Sequence, residues 1–230
     1  MNIGGLQKVS LIDYPGLIST VIFTNGCPFR CGFCHNPGLV IPPFETTTSE
    51  LEVFDYLERR RGKIQGVVIT GGEPLMQDDI LAFCKKLKCL DYKVKLDTNG
   101  YYPKRLRDVL KRQLIDYIAM DIKSPLSKYL EITQRPKLDL TRVQESIHRV
   151  MDADVPYEFR TTLIEGYHSL KDVAEMSELI TGAHKLVLQA FQPRNNLVGS
   201  RFDNFPATTP EFMQRSLNSL KPSATECEIR

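Results

Sequence analysis

The sequence has no apolar run that approaches the ~18 residues a membrane-spanning helix needs. Its start, "MNIGGLQKVSLIDYPG", has no basic segment followed by an apolar one, so no signal peptide is read there. There is no internal repeat and no low-complexity tract, which excludes a solenoid and a long disordered linker. There is almost no net charge: +2 over 230 residues makes no general demand for nucleic acid. Tryptophan is also absent, and nothing follows from that. The expected setting is the cytoplasm, with neither membrane nor nucleic acid as partner.

What is present is ordinary in amount and unusual in arrangement. A hydrophobic share of 42% and a charged share of 25% suit one globular unit with a sizeable core. Residues 1–230 are expected to form a single domain, with 1–17 and 195–230 as appendages. The locally basic runs "ERRRGK" (58–63) and "YPKRLRDVLKR" (102–112) read as solvated helix faces.

Six short runs, mostly apolar and β-branched, read as strands buried on both faces: 19–24, 66–70, 93–97, 116–122, 157–163 and 185–191. Helical patterns lie between them. Ser49 and Glu52 form a capping box, Thr141 and Gln144 suggest a second, and Pro103 suits a first helical turn. Gly182 suits a left-handed helix stop, and a last helix starts near Thr209. Alternating strands and helices predict an α/β fold with a parallel sheet, and right-handed crossovers curl it. Six units fall short of the eight that close a full barrel. The expectation is a partial (β/α)6 TIM-like barrel, helices outside.

In such folds ligands bind beyond the carboxyl ends of the strands. There the sequence places Asn25, Gly26 and the cysteines; "GGEP" (71–74); "DTNG" (97–100); "DIK" (121–123); Arg160 with "EGYH" (165–168); and "QPRN" (192–195). Far apart in sequence, they converge on one rim.

Cys27, Cys31 and Cys34 are spaced C-x3-C-x2-C. Structural zinc wants four ligands, usually in two separated pairs. His35, next to Cys34, is poorly placed as the fourth and reads as a packing residue. Cys84 and Cys89 read as small core residues, and Cys227 as incidental. Three thiols without a fourth suit an iron–sulfur cluster with one iron open, though spacing alone leaves zinc, or neither, possible.

The cysteine motif, with Phe33 before its last member, and the strand ending in "GGEP" together resemble the double signature of the radical S-adenosylmethionine (SAM) superfamily. The opening "IGGLQKVSLIDYPGLISTVIFTNGCPFRCGFCHNP" is similar to that of glycyl-radical-enzyme activating proteins, above all those serving anaerobic ribonucleoside-triphosphate reductase. That resemblance implies that Cys27, Cys31 and Cys34 bind three irons of a [4Fe-4S] cluster, with SAM on the fourth. It implies that Phe33 lies near the adenine and that Gly71, Gly72, Glu73 and Pro74 receive the methionine amino group. Asp97, Thr98, Asn99, Asp121 and Lys123 match stretches of pyruvate formate-lyase activating enzymes, where the two aspartates help hold a monovalent cation. Arg160 is the candidate to face the SAM carboxylate or ribose, with a structural salt bridge as the other reading.

The implied reaction is reductive cleavage of SAM to a 5′-deoxyadenosyl radical, which turns a backbone glycine of the reductase into a glycyl radical. A one-electron donor such as flavodoxin or ferredoxin is implied as a further partner. Other readings are an activase of the pyruvate formate-lyase type, a small-molecule enzyme such as a 7-carboxy-7-deazaguanine synthase, and a non-catalytic metal-binding module. His168 reads as loop surface or as a group near the nucleoside. Residues 195–210 read as a connecting loop, or as a segment that covers the site or docks a partner.

Overall fold

In a computed structural model of the chain, which describes residues 1–44, 47–220 and 223–230, eight strands form one sheet in chain order. They are β1 (Ile3–Ser10), β2 (Ser19–Thr24), β3 (Gly66–Gly71), β4 (Lys93–Thr98), β5 (Tyr117–Asp121), β6 (Tyr157–Leu163), β7 (Ala183–Ala190) and β8 (Ala224–Ile229). β1 runs antiparallel to β2, and every later neighbour is parallel. The helices are α1 (Pro37–Val40), α2 (Glu50–Arg60), α3 (Ile80–Cys89), α4 (Pro103–Lys111), α5 (Leu126–Ile132), α6 (Thr141–Met151), α7 (Leu170–Leu179) and α8 (Pro210–Leu220). β1 and β8 do not pair with each other, so the sheet stays an open partial barrel.

The six expected strands are all present, and the fold class is as expected. β1 and β8 are additions, contributed by residues 1–17 and 195–230. β1 carries two adjacent glycines and few β-branched residues, and β8 carries Glu226 and Glu228 on an exposed edge; neither has the apolar run that marks a buried strand. No described helix is long and apolar enough to cross a membrane.

Helix starts follow local chemistry. Ser49 and Glu52 close their capping box in both directions, and Pro103 occupies the first turn of α4. Thr141 does not cap α6. It is the first helical residue, and its backbone N–H and hydroxyl both bond Asp139 Oδ1. A further box, at the same three-residue spacing, joins Ser169 and Asp172 at α7. Gly182 is left-handed, with φ +87°, but stands three residues past the last residue of α7.

Strand side chains alternate between two faces. Ile22, Ile69, Leu96, Met120, Phe159 and Leu188 join the main core with Val53, Phe83, Val109, Ile147 and Met213 from the helices. The concave face holds a small apolar cluster of Tyr14, Val21 and Val68, and much of its charge is gathered on β4 to β6. Lys95, Asp97, Asp121 and Arg160 point there. So does Glu158, fully buried, which accepts from Tyr117 Oη at 3.2 Å and pairs with Arg230. Burying that much charge is costly unless every group is paired, and here the sheet register supplies the pairs.

Candidate functional site

Beyond Thr24 the chain enters the cysteine loop, pinned by backbone bonds from four directions. Gly26 N–H donates to Leu39 O at 2.7 Å, and Gly26 O accepts from Glu73 N at 2.8 Å. Arg30 N–H donates to Thr133 O at 2.9 Å and Gly32 N–H to Ile132 O at 3.3 Å, at the end of α5. From the other side, Val198 N–H donates to Cys34 O at 3.2 Å and Gly199 N–H to Gly32 O at 3.1 Å. Residues 195–210 therefore clasp the loop. Their Phe202 is buried against Phe33, Tyr167 and Phe205.

The loop walls a cleft of about 240 Å³ lined by Cys27, Cys31, Cys34 and Phe33, by Gly71 and Gly72, by Asp97, Thr98 and Asn99, and by Asp121 and Lys123. The expected convergence on one rim is thus present for these groups. Pro74 is buried, and Arg160 and the Glu73 carboxylate lie behind the lining. Phe29, His35, Asn36, Val40, Thr70 and Thr162 complete the lining. Thr70 and Thr162 were readable: they fall on the concave phase of β3 and β6, two residues beyond Val68 and Arg160.

All three cysteines are free; Cys31 is buried, Cys27 and Cys34 half-buried. Burial pushes the Cys31 thiol up to about 12 and Cys27 higher still, so a metal must displace their protons to bind. Asn99 Nδ2 lies 3.5 Å from Cys27 Sγ. Among the described residues no three His, Cys, Asp or Glu side chains gather closely enough for a single metal ion, as structural zinc would require. Cys84 is in the core, whereas Cys89, expected there too, is exposed on the last residue of α3.

The glycines of "GGEP" answer to crowding by backbone. A Cβ on Gly71 would lie 2.3 Å from Thr24 N, and one on Gly72 2.0 Å from Gly26 O. Gly71 also has φ +115°, a region that favours glycine. Glu73 turns inward, fully buried. Its Oε1 accepts from Leu75 N at 2.9 Å and Thr98 Oγ1 at 2.8 Å, and its Oε2 from Asn99 N at 2.7 Å. The carboxylate thereby ties "GGEP" to "DTNG". Burial outweighs these donors and pushes its pKa up to about 7.

Asp97 and Asp121 share Arg160, whose Nη1 reaches Asp97 Oδ2 at 2.9 Å and whose Nε reaches Asp121 Oδ1 at 2.8 Å. The register places Asp121 beside Arg160 and Asp97 beside Ala119, whose methyl leaves room for the guanidinium to span β5. Lys95 Nζ meets Asp97 Oδ1 at 2.5 Å, and Lys123 Nζ meets Asp121 Oδ2 at 2.9 Å. Burial alone would raise Asp121, but Arg160 and Lys123 hold it well below the usual carboxylate range. Lys123 also stands 5.9 Å from the Phe33 ring centroid. His168 is neither loop surface nor cleft lining: it is buried, with Nδ1 accepting from Ile164 N at 3.0 Å, and burial lowers its pKa to about 4.

Comparison with known proteins gives the family. The radical SAM superfamily model matches residues 21–180. A Methanocaldococcus jannaschii protein assigned as a glycyl-radical enzyme activating enzyme is 30% identical over 198 residues, 84% of this chain and 81% of that one. A Staphylococcus aureus pyruvate formate-lyase-activating enzyme is 28% identical over 187 residues, 74% and 71% of the two chains. Among solved structures, a domain of a Bacteroides vulgatus pyruvate-formate lyase-activating enzyme superposes with TM-score 0.54 at 21% identity, over 70% of this chain and 98% of that one. Streptococcus suis SuiB superposes with TM-score 0.64 at 13% identity, over 90% and 48%; these two likenesses speak for the fold alone. The three-thiol cleft at the carboxyl rim of an open barrel and the family match lead to one conclusion: the chain belongs to the radical SAM superfamily, among the glycyl-radical-enzyme activating enzymes.

Proposed function

We propose that the chain generates the glycyl radical of an anaerobic ribonucleotide reductase. Membership of the superfamily implies a [4Fe-4S] cluster and SAM, and the residues fit both. Cys27, Cys31 and Cys34 are the thiolate donors for three irons, and the cleft lining contains no fourth cysteine among the described residues. Bound there, cluster and SAM supply reductive cleavage of a carbon–sulfur bond and a 5′-deoxyadenosyl radical.

The chain's residues bind, orient and shield. Lys123 offers an ammonium to the SAM carboxylate from the cleft wall. Phe33 provides an aromatic face for the adenine, and the backbone at Gly71 and Gly72 a close edge for the amino acid end. Thr98 and Asn99 line the cleft, locked by Glu73. Asp97, Asp121 and Arg160 form its rigid floor. The sheet is not closed between β1 and β8, and a polypeptide glycine is taken to approach the cleft at its rim.

The observation that carries the reading is that the three thiols line one cleft together with Gly71 and Gly72, with Asp97, Thr98 and Asn99, and with Asp121 and Lys123. The reductase as target rests on the opening block of the sequence. The Staphylococcus aureus relative favours a second reading, a pyruvate formate-lyase as target. The test is anaerobic reconstitution with iron and sulfide, then SAM and a one-electron reductant such as flavodoxin, with each candidate target in turn. The expected result is 5′-deoxyadenosine and a glycyl doublet by electron paramagnetic resonance on the reductase. A doublet on pyruvate formate-lyase alone moves the assignment to the second reading, and 5′-deoxyadenosine without any doublet refutes both.

A further inference from the structure

The monovalent cation that the resemblance implies beside Asp97 and Asp121 does not fit the residues present. All four carboxylate oxygens already accept from protein cations. Asp97 Oδ1 faces Lys95 Nζ at 2.5 Å and Oδ2 faces Arg160 Nη1 at 2.9 Å. Asp121 Oδ1 faces Arg160 Nε at 2.8 Å and Oδ2 faces Lys123 Nζ at 2.9 Å. Three cationic and two anionic side chains leave a net charge of +1.

Lys95 is the member that the cleft does not explain. It lies within β4 between Val94 and Leu96, is 2% exposed, and is absent from the cleft lining. Burying an ammonium is costly, and a strand gains nothing from it unless the charge is needed. Here it is needed. With Lys95 counted, Asp97, Asp121 and Arg160 sum to zero, and the Lys123 ammonium is left over on the cleft wall for a ligand carboxylate. Without Lys95 the set is neutral, short by one positive charge, which is what a bound potassium or sodium ion would supply.

We propose that the Lys95 ammonium is a built-in replacement for the monovalent cation, a positioning residue that fixes Asp97 and, through Arg160, Asp121, without touching the ligand. The proposal deepens the reading of the cleft as a SAM site. It predicts a chain indifferent to potassium and sodium.

The test measures SAM affinity of the reconstituted chain, and the melting temperature of the cluster-free chain, in potassium, sodium and choline chloride at equal ionic strength. Wild type should bind SAM equally, within about twofold, in all three. Lys95→Met, similar in length but uncharged, should bind about tenfold more weakly in choline and recover in potassium or sodium. Melting temperatures should follow the same pattern. A wild type that needs potassium or sodium overturns the proposal. So does a Lys95→Met chain that matches wild type in choline, or that stays weak in every salt. If Lys95→Met fails to fold in choline, folding in potassium or sodium supports the replacement, and failure in all three overturns it. If wild type binds no SAM in any salt, the function proposed above fails instead, and melting of the cluster-free chain still decides this point.

Discussion

Glu73 makes the stability of this protein depend on pH in a way that one substitution can isolate. Its carboxyl is fully buried, and burial raises its pKa from 4.5 to about 7 despite three donors. A carboxyl raised on folding contributes stability that is fully present below its unfolded pKa and is lost as pH rises through the folded one. Between pH 5 and 8 the loss is about 2.5 kcal/mol by linkage. Wild type hides it, because His168 works the other way. Burial lowers that imidazole from 6.5 to about 4, so its contribution is present above pH 6.5 and is lost as pH falls toward 4. The difference between wild type and Glu73→Gln cancels His168. The variant should gain about 2.5 kcal/mol on wild type from pH 5 to pH 8, whatever its constant offset from the disturbed bonds to Leu75, Thr98 and Asn99. For a chain of this size that is a relative melting shift of about 5–10 °C. Urea or thermal unfolding of the cluster-free protein at several pH values reads it directly. A difference that stays flat across the range would refute a raised Glu73.

Two further perturbations test the clasp around the cysteine loop. Gly72→Ala would put a Cβ 2.0 Å from Gly26 O, so the backbone bond from Glu73 to Gly26 must open. A loss of at least about 2 kcal/mol in urea unfolding is expected, with weakened SAM binding, and a neutral result would contradict the crowding. Phe202→Ala removes the ring packed on Phe33 and Tyr167 and should cost about 3 kcal/mol. Less iron should be retained on reconstitution, and full retention would show that the strap does not support the loop.

The six inner strands, β2 to β7, were legible because burial on both faces leaves a continuous apolar run, as in "GVVIT" and "STVIFT". β1 and β8 were not, because edge strands need no such run: Glu226 and Glu228 look like a solvated tail until the neighbour in the sheet is known. The rim motifs could be placed because each follows a strand. The inward turn of Glu73, by contrast, depends on Thr98 ending the adjacent strand and Asn99 following it, a relation that only the register supplies. Lys95 is a similar case. Lys93 and Lys95 flank Val94 alike in sequence, yet the first is exposed and the second has 2% exposure. The clasp from residues 195–210 was legible only as one reading among several, since the crowding that demands glycine at 199, against Gly32 and Gln134, appears only once the segment is folded onto the cysteine loop.

The two faces of the curved sheet divide the labour of each strand residue by residue. In β4, Val94 and Leu96 sit in the apolar core, while Lys95 and Asp97 between them and after them serve the charged floor of the cleft. β5 and β6 repeat the arrangement with Met120 beside Asp121 and Phe159 beside Arg160. Two mutations one position apart on a single strand should therefore fail differently, one by opening a cavity in the apolar core and the other by leaving a buried charge unpaired beneath the cleft.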